Sequence, residues 1–151
     1  MNTLFQHILV PVDFTEKNWG AIEAARQLAR QNDATVTLLH VIEAIEFPED
    51  KEIKDFYERL RERSERELAN LREGLKNESF EVREATIVNN RAKGIVVYAV
   101  ENDIDMIVMS SHPFSPSHPA EGWGTISYQV AALCPCSIML VKEGWRVKGE
   151  G

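Results

Sequence analysis

"HILVPVDFT", residues 7–15, reads as a short strand emptying into a turn, and the rest of the chain takes its frame from it. Ile8, Leu9, Val10 and Val12 come without alternating polar residues, the pattern of a strand buried on both faces of a parallel sheet. Pro11 stands at the strand's end, where a missing ladder donor costs least. Asp13-Phe14-Thr15 turns the chain, with Thr15 placed to cap a helix. Ile22, Ala25, Leu28 and Ala29 then recur at helical spacing over about residues 16–31, until Asn32-Asp33 stops the helix.

The alternation continues outward. Residues 35–41 read as a second strand, and Pro48 with Glu49-Asp50 marks a loop. A long helix follows over about 50–76, with Ile53, Phe56, Tyr57, Leu60, Leu68, Leu71 and Leu75 as one apolar stripe on a charged, solvated rod. Asp55 with Arg59 and Glu62 with Arg66 are favourable i,i+4 pairs there. Residues 81–88 form a third strand, and Asn89-Asn90 suits a turn because asparagine tolerates positive φ. A helix over 92–102 turns Ile95, Val96, Ala99 and Val100 inward. A strand over 105–109, a helix over 125–133 and a strand over 137–141 complete the order. β-α-β-α-β-α-β-α-β implies a parallel sheet with helices on both faces and right-handed crossovers.

With 151 residues the chain is expected to form one domain, residues 1–144, with a polar tail over 145–151. A domain of this size buries about 68–70% of its unfolded surface, enough for a core without staples. The net charge of −7 argues against general nucleic-acid binding and against docking on anionic lipid. No apolar run approaches the ~20 residues a membrane span needs, and the first residues lack the basic and apolar regions of a signal peptide. Cys134 and Cys136 flank Pro135; at i and i+2 of a strand they would face opposite sides, so no bridge between them is expected. A reduced, cytoplasmic setting fits.

In an open parallel sheet, ligands lie beyond the carboxyl ends of the strands, where the strand order reverses. The candidates are therefore Asp13, Val41 with Glu43, Asn89, and the chain from Ser110 onward. The last stretch, "SSHPFSPSHPAEGWGT" at 110–125, joins a strand to a helix, as phosphate cradles do, but carries prolines at 113, 116 and 119.

"ILVPVDFTEKNWGAIEAARQLA", "TVTLLHVIE", "DMIVMSSH" and "CPCSIMLVK" together resemble the universal stress protein family, in order and spacing over nearly the whole chain. The resemblance implies a three-layer α/β/α sandwich, Rossmann-like and HUP-type, with a five-stranded parallel sheet of order 3-2-1-4-5. It implies a homodimer through the last strand, Ile138, Met139, Leu140 and Val141, an exposed edge that a second subunit could pair with. It implies a stress-response binding module, not an enzyme, with ATP or AMP, and magnesium, as the ligands to expect. The site it implies comprises Pro11, Val12 and Asp13, Val41, then Met109, Ser110, Ser111 and His112, and finally Gly124, Thr125 and Ile126.

Nucleotide-binding members of that family carry G-x-x-G, nine residues, then G-S or G-T. In this chain Ser110 and Pro113 stand at the first two glycines, ten residues intervene, and Gly124-Thr125 matches the end. Ser110 keeps its N–H but adds a side chain, whereas Pro113 removes an N–H and fixes φ. Gly124-Thr125 keeps its logic at a helix N-terminus. Two readings follow: a nucleotide or phosphate site with an altered strand end, or a protein-interaction module of the same fold that no longer binds nucleotide. Asp13 is either a ligand contact or a turn-forming residue, Val41 an adenine wall or plain core, and Thr125 a phosphate contact, a helix cap, or both. His112, His118 and Glu121 lack metal-ligand spacing. Trp123 is read as packing, and Cys134 and Cys136 as small residues entering a strand. No nucleophile elbow or Walker lysine is present, and no base for slow ATP hydrolysis is identifiable.

Overall fold

The computed structural model describes residues 4–45, 50–111, 117 and 125–142. Five strands, β1 (His7–Pro11), β2 (Thr35–Glu43), β3 (Val82–Asn89), β4 (Met106–Ser110) and β5 (Ser137–Val141), alternate with four helices. The helices are α1 (Asn18–Asn32), α2 (Lys51–Glu73), α3 (Arg91–Glu101) and α4 (Ile126–Leu133). The sheet is parallel in the order β3-β2-β1-β4-β5. The strand order therefore reverses between β1 and β4, the place where the carboxyl ends open a crevice. None of the helices among the described residues is long and apolar enough to cross a membrane.

Side-chain parity divides the core in two. Ile8, Val10, Val36, Leu38, Met106 and Val108 face Ala21, Ile22, Ala25 and Ala29 of α1 and Leu68 of α2. Leu9, Leu39, Val41, Ile107 and Met109, one residue out of phase, face Ala92, Ile95 and Ala99 of α3 and Val130 of α4. Ile8, Leu9, Val10, Leu38, Leu39, Ile107 and Val108 are wholly buried. This is the arrangement that continuous apolar runs in the strands require. Truncating Leu9 to alanine is expected to cost about 2–5 kcal/mol.

Several local expectations are corrected. Thr15 does not cap α1: Lys17 holds the N-cap position with no side-chain bond, because the Thr15 hydroxyl and N–H are both bound to Asp13 Oδ1. Asn89-Asn90 is not a positive-φ turn. Asn89 ends β3, and the Asn90 side chain caps α3 by accepting from the Lys93 N–H at 3.0 Å. β2 and β3 run further than their local patterns suggest because the ladder pairs them as far as Glu43 with Asn89. Val100 is 57% exposed and Phe56 41% exposed, so neither is core. Asp55–Arg59 and Glu62–Arg66 make no ion pair; α2 instead reaches β3 through Arg72 and Glu84. Exposed charges on a solvated helix face gain little by pairing. The tail expected over 145–151 lies outside the described residues.

Candidate functional site

The carboxyl ends of β1, β2 and β4 meet the amino ends of α1, α3 and α4 around a crevice of about 220 Å³. β1 contributes Pro11 and Val12, with Asp13 just beyond. β2 contributes His40 and Val41, and β4 contributes Met109 and Ser110, followed by Ser111. Thr125 and Ile126 close the side at α4. All of these except His40 are residues the sequence marked, now around one space. His112 and Gly124 lie outside the described residues, as do Pro113, His118, Glu121 and Trp123.

Val41 and Met109 are buried in the core layer shared with α3, and Ile95 stands among them. Val41 is thus both core and crevice wall. Asp13 is exposed and turns the chain: Oδ1 accepts from the Thr15 N–H at 3.0 Å and the Thr15 hydroxyl at 2.6 Å. Its own N–H donates to Asn18 Oδ1 at 3.0 Å. Oδ2 takes no bond among the described residues, so the turn leaves one carboxylate oxygen facing other work. Ser110 ends β4, and its hydroxyl donates to the Lys17 carbonyl at the head of α1. The hydroxyl that replaces a bare glycine edge therefore ties β4 to α1. Thr125 caps α4, its hydroxyl oxygen accepting from the Tyr128 N–H at 3.4 Å.

Sequence reasoning missed Lys17, Asn18, His40, Arg91, Ile95 and Ser127. Lys17 and Arg91 bring positive charge to a rim where Asp13 brings negative. Arg91 opens α3, and Glu43 answers it: Glu43 Oε2 accepts from the Arg91 N–H at 3.1 Å and sits 3.8 Å from Nε. Glu43 thus holds the first N–H of α3, beside the Asn90 cap, and does not line the crevice; Asn89, whose side chain accepts from the Asn90 N–H, does not line it either. His40 Nδ1 donates to the Val12 carbonyl at 2.8 Å, and its ring stacks on Phe14 with centroids 4.4 Å apart. Burial, above all, pushes its pKa below 6.5. Phe14 holds φ at 65°, a conformation that bulky side chains adopt rarely. A histidine inside an apolar strand was the signal for His40; Lys17 and Arg91 reach in from helix starts that the strand-end rule does not address.

An apolar wall, a helix N-terminus and two cations suit a flat, uncharged ring joined to an anion. Among the described residues no group of three or more histidine, cysteine, aspartate or glutamate side chains gathers for a metal ion.

The family model of the universal stress proteins matches residues 4–142. The chain is 26% identical over 129 residues to universal stress protein MJ0577 of Methanocaldococcus jannaschii, covering 74% of this chain and 80% of that one. The solved structure of MJ0577 superposes with a TM-score of 0.73 at 24% identity, over 93% of this chain and 97% of that one. A universal stress protein in complex with cAMP gives 0.62 at 20% identity, over 92% and 98%. One from Archaeoglobus fulgidus in complex with dAMP gives 0.62 at 19%, over 93% and 100%.

Proposed function

This chain belongs to the universal stress protein family, and from that premise we propose that it is a binding module whose crevice takes an adenine nucleotide, ATP or AMP, with magnesium where the phosphates need it. The observation that carries the reading is the convergence of Asp13, Val41, Met109 and Thr125 on one crevice with Lys17 and Arg91 at its rim. Complexes of fold relatives with cAMP and dAMP support the ligand class. Val41 and Met109 would pack on the base, Asp13 Oδ2 would accept from a sugar hydroxyl, and the start of α4 would receive phosphate. We read the role as binding and regulation in a cytoplasmic stress response, without turnover.

The protein is purified, denatured and its supernatant searched for released nucleotide, then refilled by calorimetric titration with ATP and AMP. Asp13→Asn keeps the acceptor for Thr15 and removes the charge, so its fold is retained and its affinity is expected to fall tenfold or more. No released nucleotide and no heat up to about 1 mM ligand would leave the interaction module as the reading.

Among the described residues β5 lies at the edge of the sheet, paired only with β4, and its Ile138–Val141 segment is half-exposed. We infer that a second copy pairs with this edge to make a homodimer.

A further inference from the structure

The chain contains two cysteines, and neither lines the crevice. A strand would have sent them to opposite faces. β5 begins only at Ser137, however, and Cys134 is still the C-cap of α4, its N–H bound to the Val130 carbonyl at 2.9 Å. Both side chains therefore pack on the same core layer, beside Ile138 and Leu140. Their Sγ atoms stand 3.4 Å apart as free, partly exposed thiols in hydrogen-bond contact. Cα atoms two residues apart lie within about 7 Å, at the edge of what a disulfide spans.

From this juxtaposition we propose that Cys134 and Cys136 form a reversible dithiol–disulfide site that exchanges two electrons with low-molecular-weight disulfides of the glutathione type. The Cys134 thiolate attacks one sulfur of the small disulfide, forming a mixed disulfide and expelling one thiolate. Cys136 Sγ then attacks Cys134 Sγ, the second small thiolate leaves, and the Cys136 proton passes to it. In sum the protein dithiol becomes a disulfide and the small disulfide becomes two thiols.

The order of attack follows from the surroundings. Burial, and then the hydrogen bond and charge of Cys134, push the Cys136 thiol up to about 12, which makes it the resolving and not the attacking sulfur. In the mixed disulfide Cys134 has neither proton nor charge to offer. Two of the causes that hold the proton on Cys136 are then gone, while the short approach remains.

The full-length protein is equilibrated anaerobically across ratios of reduced to oxidised glutathione, quenched with an alkylating agent and weighed intact. The expected result is conversion of a doubly alkylated monomer into an unalkylated monomer lighter than the dithiol by about 2 Da, restored by dithiothreitol. Cys136→Ser should gather a single glutathione adduct, and Cys134→Ser should do so at least tenfold more slowly. If either variant fails to fold, the wild-type titration repeated in urea decides, with bridging expected to need at least a tenfold more oxidising ratio there. Persistent double alkylation, a stable glutathione adduct on the wild type, covalent dimers, or equal bridging in urea would overturn the proposal.

Discussion

At Asp13 the turn uses one carboxylate oxygen: Oδ1 is bound twice by Thr15, and the proposed ligand contact would draw on Oδ2. The alternatives that the sequence left open at this residue are therefore compatible. Position after a strand made Asp13, Val41 and Ser110 legible, since parallel strands deliver their ends to one rim, and the Gly124-Thr125 pair of the family motif made Thr125 legible. His40, Lys17 and Arg91 were not legible in the same way, because what brings them to the crevice is packing between β2, α1 and α3. His40 also carries a prediction. Its pKa and that of His7 are held below 6.5, in both cases mainly by burial, with nearby arginine charge adding to it. The unfolded chain then binds more protons than the folded one once pH falls below about 6.5. Stability is full above that value and is lost as pH falls from there toward the lowered folded values. Urea melts at pH 7.5 and pH 5 should show the loss, and His40→Asn, whose amide can still donate to Val12, should show less of it. A pH slope identical in the two proteins would contradict the assignment to His40.

Among the elements, α3 sits close on the sheet because Gly94 faces it without a side chain. A Cβ there would lie 3.0 Å from Asn89 Cβ, 3.1 Å from Val41 Cγ1 and 3.2 Å from Ile87 Cδ1. Alanine gains about 1 kcal/mol of helix propensity over glycine, but overpacking three neighbours at once costs about 2–3 kcal/mol, the upper part of the usual range. Gly94→Ala is therefore expected to lower stability by about 1–2 kcal/mol, with a Tm fall of about 2–8 °C, and to disturb the Val41 wall. A melting temperature equal to or above the wild type would contradict this. At this scale the sequence was most legible where local pattern suffices: β5 has the bounds its apolar run implies. It was least legible where pairing decides. β2 and β3 extend each other through Glu43 and Asn89, and Cys134 stays with α4, so strand alternation does not part it from Cys136.

For the whole molecule, the alternating order of strands and helices implied the sheet, and resemblance implied its order, which the topology matches. One crevice at the reversal between β1 and β4 follows from that order, while the 112–116 and 118–124 stretches lie outside the described residues. Among the described residues β5 also stands at an edge of the sheet. Light scattering is expected to give a dimer, and Met139→Lys, on that edge, a monomer with unchanged helical content; a wild-type monomer would contradict the dimer. Binding at the reversal is the central claim. A ¹H–¹⁵N correlation spectrum recorded while AMP is added tests it most directly. The account predicts saturable shifts concentrated at Val12, Asp13, Val41, Arg91, Ser111 and Thr125, with the far ends of the strands unmoved. Shifts absent at saturating AMP, or centred on residues remote from the carboxyl ends of β1 and β4, would contradict it.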